Sequence, residues 1–345
     1  MPRTLALSPS VCHAPLLEQT PRLSYAGGPV GPWQRKLRRE LAGLLGLDGF
    51  PTRRPPLAAR TLWQRRHALG TIAKVVFLCE PGAHAVAYVC IPSGSRPPHR
   101  FMICLQGHTS GAHNSIGLAA NEKRRIAVEG DRDFAVACMR HGVAALALEQ
   151  RAFGERSERV QRRRSIHNGC EDAAMRALML GRTLLGERVY DVDRAIDYLE
   201  SRGDADLSCV GVMGNSGGGT VSIYAAALLS RVGFAMPSSS LCTFRDSIMT
   251  IHHCADNYVP GLYGLADMGD VLGLAAPKPV VVVGSNNDPI FPYRGLRRAY
   301  GRVRQIYRAA RAEDRLRLFV GREGHRFYAE PAFRLALPLF QASLT

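Results

Sequence analysis

The chain has no apolar run approaching the ~20 residues that span a bilayer, so no membrane-crossing helix and no membrane partner are expected. Its first residues, MPRTLALSPSVCHAPLLEQTPR, place prolines and charges where a secretory signal needs ~7–15 unbroken apolar residues. A cytoplasmic protein is expected on that ground. Lysine is scarce: Lys36, Lys74, Lys123 and Lys278 are the only four among 45 basic residues. That bias fits a genome favouring arginine codons. The net charge of +16 invites a nucleic-acid reading, because clustered cations release phosphate counterions. The basic residues are spread out, however, apart from 35–39 and RVQRRR at Arg159–Arg164. No helix-turn-helix, zinc-finger or RNA-binding motif stands beside them, so a solvated basic surface is expected and no nucleic-acid partner. Cysteine pairs are missing too. The nine cysteines are odd in number and contain no CxxC. Cys79, Cys90, Cys104 and Cys209 sit in apolar runs, where a thiol behaves as a small hydrophobe. That usage suits reduced core thiols in the cytosol.

What is present is an α/β pattern, with 46% apolar residues to build its core. Residues 1–70 read as a basic N-terminal extension with one amphipathic segment, Trp33–Leu47. Its Leu37, Leu41, Leu44 and Leu45 recur at helical spacing and predict a helix docked on the main body. From about 71 to 345 a single larger domain is expected. TIAKVVFLCEPG and HAVAYVCIP predict a hairpin turning at Pro81-Gly82, followed by the strand RFMICLQG. Strands then alternate with helices. GVAALALE, CVGVMG, GFAMPSSS, KPVVVVGS and RLRLFVG read as strands. Cys170–Arg202 (broken near Gly181–Gly186), Ser216–Leu229, Tyr293–Ala312 and Phe327–Phe340 read as helices. Continuous apolar runs between helices indicate a doubly wound, mostly parallel sheet with helices on both faces. Leu241–Ala276 breaks this rhythm and reads as a small helical insertion over the carboxyl edge of the sheet, where such folds bind ligands.

Gly214-Asn215-Ser216-Gly217-Gly218 matches G-x-S-x-G between an apolar strand and a helix. A serine on so tight a turn is strained, and side chains two residues either side would collide, so glycines are needed there. The helix after Ser216 points its first amide, that of Gly217, toward a developing oxyanion. A phosphate-binding loop is the competing reading, but GNSGGG lacks G-x-x-x-x-G-K-[ST]. A nucleophilic serine needs a base and an orienting acid, which follow later strands in the order serine, acid, histidine. NNDPIFP after KPVVVVGS offers Asp288, and REGHRF after RLRLFVG offers His325. An ordinary helix cap is the rival role for Asp288, while Glu323 shares the loop of His325 and is poorly placed to orient it. His252 and His253 precede the acid strand and are assigned to the substrate side or to packing. The second oxyanion amide is expected from QGHTSG, at His108 with Thr109 beside it.

On these motifs, residues 70 to the end resemble the α/β-hydrolase superfamily, and within it the bacterial esterase branch of dienelactone hydrolases and acetyl xylan esterases. The resemblance implies a carboxylic ester hydrolase working through an acyl-serine, with a small-molecule ester, short-chain or acetyl in type, as its partner. It implies no cofactor and no metal. The same triad also serves peptidases, thioesterases, acyltransferases and lyases. A basic nucleic-acid-associated protein with a decayed triad is the remoter alternative, and a homo-oligomer is left open. Thr109, Asn215, Arg151, His252 and His253 are the candidates for contacting substrate, with Arg151 and Arg156 in EQRAFGERS either lining the pocket or forming surface salt bridges. The HHC at His252–Cys254 has metal-ligand types, but adjacent side chains rarely converge on one ion and no second pair stands nearby.

Overall fold

The computed structural model describes residues 7–108, 111–158 and 169–342; Thr109 and the basic run at 159–164 lie outside the described residues. Nine strands form one sheet among them: β1 (Arg60–His67), β2 (Gly70–Glu80), β3 (Ala83–Pro92), β4 (Phe101–Leu105), β5 (Ala144–Leu148), β6 (Val210–Asn215), β7 (Val232–Ser238), β8 (Val280–Ser285) and β9 (Leu316–Gly321). Their order across the sheet is β1-β2-β3-β5-β4-β6-β7-β8-β9. The first three pairings, up to β3 with β5, are antiparallel, and from β5 to β9 every pairing is parallel. The hairpin turns at Pro81-Gly82, where Gly82 takes φ +81°.

The helices are α1 (Pro9–Leu17), α2 (Val30–Leu44), α3 (Phe134–Arg140), α4 (Gly169–Met179), α5 (Leu184–Arg202), α6 (Gly217–Leu228), α7 (Leu262–Leu265), α8 (Met268–Gly273), α9 (Tyr293–Ala309) and α10 (Ala329–Ala342). Strand residues alternate between two cores. Ile103, Leu105, Val212, Val280 and Val282 face one layer, which includes residues of α2, α5, α6, α8 and α9. Met102, Cys104, Met213, Val281 and Val283 face the other, with α3 and α10. Both faces are covered, which is why the strands are apolar throughout rather than alternating.

Helix α2 docks through Leu37 and Leu41, with Leu45 just beyond its end, all with no exposed surface. It also satisfies carbonyls that helix ends leave without partners. Gln34 Nε2 donates to Leu274 O (3.2 Å) and Ala276 O (2.7 Å), and Arg38 Nε donates to Ala227 O (2.9 Å). The sheet reaches back past the expected boundary at residue 70, because β1 pairs along β2. This strand is mostly exposed and rich in arginine, as suits an edge that must discourage further pairing. The stretch 241–276 is less helical than expected. It holds a single turn at Ala255–Asn257 before α7 and α8, and α8 packs on α9 within the regular helical layer.

Because Leu41 lies at the centre of this contact, Leu41→Ala should lower the unfolding free energy by about 2–5 kcal/mol. Urea denaturation reads this directly; a change below about 0.5 kcal/mol would make α2 a peripheral attachment.

Candidate active site

Ser216 sits between the last residue of β6 and the first of α6, with φ 56° and ψ −123°. That conformation is strained for a residue with a side chain. The surrounding glycines are sterically required. A Cβ at Gly214 would lie 2.5 Å from the carbonyl carbon of Gly218, and one at Gly218 would lie 2.1 Å from Leu105 O. A Cβ at Gly107 would come within 2.9 Å of Asn215 O and 3.1 Å of Ser216 Cβ, so the loop after β4 rests directly on the turn. The turn is pinned on its other side by Ser216 N donating to Ser238 O at 2.9 Å.

Asp288 and His325 stand in the loops after β8 and β9. His325 Nδ1 lies 2.8 Å from Asp288 Oδ2, and the carboxylate side chain is almost fully buried. Asp288 Oδ1 accepts from the amides of Ile290 (2.9 Å) and Phe291 (3.0 Å), which fixes the carboxylate against rotation. The Phe291 ring lies nearly parallel to the imidazole, with centroids 5.9 Å apart. A carboxylate only accepts, so the hydrogen-bond network assigns the proton to Nδ1 and leaves Nε2 as the basic nitrogen. Ser216 and His325 line one open cleft of about 390 Å³ with Gly107, His108, Asn215, His252 and His253. The structure therefore brings the serine, acid and histidine together.

The other expected residues divide. Asn215 lines the cleft but spends its Oδ1 on Ser238 Oγ (2.9 Å). His252 is exposed at the rim, and His253, its pKa lowered by burial, stands edge-on to Phe291. Thr109 lies outside the described residues. Arg151 does not line the cleft. Its guanidinium is held by Asp191 (2.8 and 2.9 Å) and Glu80 (2.7 Å), and Arg156 shares the same Asp191 at 2.6 Å. Burial opposes charge on Asp191, but Arg156 and Arg151 outweigh it and hold the carboxyl at about 2. A cation near a strand end looks the same in sequence whether it faces a pocket or a buried carboxylate.

Sequence reasoning missed Arg132, which lines the cleft with Nε donating to Glu129 O at 2.9 Å. It also missed the surroundings of His108. A Cβ on Gly217 would lie 2.9 Å from His108 Cε1, so this ring covers the start of α6. Its Nε2 lies 3.0 Å from Asp256 Oδ2 and 3.9 Å from Cys170 Sγ. Burial disfavours its charge, yet the Asp256 contact prevails and lifts the imidazole to about 9. The fully buried Arg188 donates to Asp256 and, at 3.2 Å, to Cys170 Sγ. No local motif marks any of these partners.

Behind the same loop, Glu149 Oε2 accepts from Ala112 N at 3.0 Å, while Oε1 is buried with no hydrogen-bond partner among the described residues. Burial pushes its carboxyl up to about 7. The folded state thus holds this proton more tightly than the unfolded chain does. The resulting stabilisation is full below the ordinary glutamate pKa of 4.5 and is lost as pH rises through about 7. Relative to Glu149→Gln, which cannot titrate, the wild type should lose about 2–3 kcal/mol between pH 4 and pH 8. Parallel urea titrations of both proteins across that range check this; a constant difference would place the carboxyl in water.

No family model matches the chain. A curated relative, "Putative hydrolase YtaP" of Bacillus subtilis, is 25% identical over 190 residues. The match spans 53% of this chain and 60% of that protein's length. Among solved structures, a "putative acetyl xylan esterase" from Bacteroides fragilis superposes with a TM-score of 0.76 at 18% identity, covering 92% of this chain and 83% of the other. A glucuronoyl esterase from Solibacter usitatus superposes at 0.64 and 16% identity, covering 95% and 98%. At such identities the likeness is one of architecture: the chain has the α/β-hydrolase fold.

Proposed function

We propose that the protein is a serine hydrolase that cleaves carboxylic esters through an acyl-serine intermediate. The observation that carries this reading is the 2.8 Å contact of His325 with the buried Asp288, in the same cleft as Ser216 on its strained turn. His325 Nε2 takes the hydroxyl proton as Ser216 Oγ attacks the ester carbonyl. The negative charge then grows on the carbonyl oxygen, where the amides of Gly217 and His108 stabilise it. Asp288 holds the imidazole in one tautomer and stabilises the imidazolium. The tetrahedral adduct collapses as His325 returns its proton to the leaving alcohol. Water, deprotonated by the same nitrogen, then releases the acid and restores Ser216.

The cleft supports a short acyl group, acetyl in type, and a polar alcohol. It is open to solvent, and Arg132, His252 and His253 present hydrogen-bonding side chains around Ser216. The solved proteins of like fold carry esterase names tied to carbohydrate substrates, which supports a sugar-like alcohol. A cytoplasmic setting is part of the same reading, supported by cysteines that are mostly buried as small apolar side chains. No described helix is long and apolar enough to cross a membrane.

p-Nitrophenyl esters from acetyl to octanoyl should be hydrolysed with a preference for the shortest. Ser216→Ala should reduce kcat on the order of 10⁴–10⁶-fold, and Asp288→Asn about 10⁴-fold. A fluorophosphonate probe should label the wild type and not Ser216→Ala. Labelling without ester hydrolysis would redirect the same triad to acyl transfer, peptide, thioester or lyase chemistry; an unlabelled wild type would overturn the nucleophile.

A further inference from the structure

Three distant segments converge beside the cleft. His108 comes from the loop after β4, Cys170 from the start of α4, and Cys254 and Asp256 from the stretch between β7 and α7. One ligand atom from each, His108 Nε2, the two Sγ atoms and an Asp256 carboxylate oxygen, all lie within 4.8 Å of one another. The individual separations are 3.0 Å from His108 Nε2 to Asp256 Oδ2, 3.1 Å from Cys170 Sγ to the same oxygen, and 3.9 Å from Cys170 Sγ to His108 Nε2. In a tetrahedral zinc site, bonds of ~2.3 Å to sulfur and ~2.0–2.2 Å to nitrogen or oxygen set the ligand atoms about 3.3–3.8 Å apart. The observed separations bracket that range, so small side-chain shifts complete the tetrahedron.

The buried Arg188 looks like an objection, since it already brings a positive charge to Asp256 and Cys170. The charge count answers it. Two thiolates, one carboxylate, a neutral imidazole and one guanidinium leave a net charge of −2, which a divalent cation neutralises. Arg188 then serves as an outer partner that orients the carboxylate and one sulfur, as hydrogen bonds commonly do around metal ligands. Cys254 also lines the open cleft, which supplies an entry path.

We propose that His108, Cys170, Cys254 and Asp256 form a binding site for one thiophilic divalent cation of the zinc class. Each thiol releases its proton to solvent as its sulfur–metal bond forms, and His108 Nε2 binds through its lone pair with any proton there also released. Four protein ligands close the coordination shell, so the ion is structural: it ties the loop at 107–108, on which the oxyanion amide depends, to α4 and to the stretch at 254–256. The doublet His252-His253 is not among these ligands. The inference stands independently of the ester-hydrolase reading.

Reduced, chelator-treated full-length protein titrated with Co²⁺ tests it. One equivalent per chain should produce a thiolate-to-cobalt charge-transfer band in the near ultraviolet and tetrahedral d–d bands in the visible. Zn²⁺ should bleach both and raise the Tm of the wild type. Cys254→Ala, at a half-buried position, should weaken cobalt binding at least tenfold and lose the Zn²⁺-induced Tm shift, and Cys170→Ala should repeat this. Cys242→Ala, a buried thiol outside the cluster, and Ser216→Ala should bind cobalt as the wild type does. The Ser216→Ala control separates failure of this site from failure of the catalytic reading. Absence of the bands in the wild type, or their persistence in both cluster cysteine variants, would overturn the site.

Discussion

The contact between the end of β4 and the first turn of α6 governs the site. Gly218 lies so close to Leu105 O that a single added carbon would overlap it, and Gly214 meets Gly218 with similar tightness. Neither element can retreat, because β4 and β6 are paired neighbours near the middle of a sheet covered on both faces. The strain of Ser216 is therefore borne by burial around it rather than relieved by local adjustment. The same closeness seats the loop at 107–108 on the turn, so the serine and that loop are positioned by one packing event.

Charge is handled locally despite the basic total. Arg151 and Arg156 close on Asp191, Arg182 on Glu80, and Arg188 on Asp256, all beneath the loops rather than on open surface. Such pairs contribute little net stability against apolar replacements, but removing one partner leaves a buried charge alone. Their effect is to hold the loops in one arrangement, with Asp256 answering to both Arg188 and His108.

The parts legible in sequence are those whose physics is local or set by topology. A serine between close-packed glycines and a histidine following an apolar strand needed only the order of elements to be placed on one cleft, and the acid after the preceding strand to be placed against that histidine. The helix at 30–44 was legible because its leucines repeat at helical spacing. Strand β1 was not, since an edge strand wet on most of its surface has no reason to alternate. Nor was the ion pairing of Arg151, whose partners Glu80 and Asp191 come from β2 and α5. The cluster around His108 was hidden for the same reason: its members are joined only by folding.

The docking of α2 has a consequence for how the chain is made. Gln34 and Arg38 find their carbonyl partners 189 to 242 residues further along the chain. At ~5–20 residues per second of translation, that wait is roughly 10–50 s. Throughout it, α2 stands on the ribosome without these carbonyl partners. The docking of α2 thus waits for α6 and α8, and the yield in the cell depends on keeping its leucine stripe from other chains until they arrive.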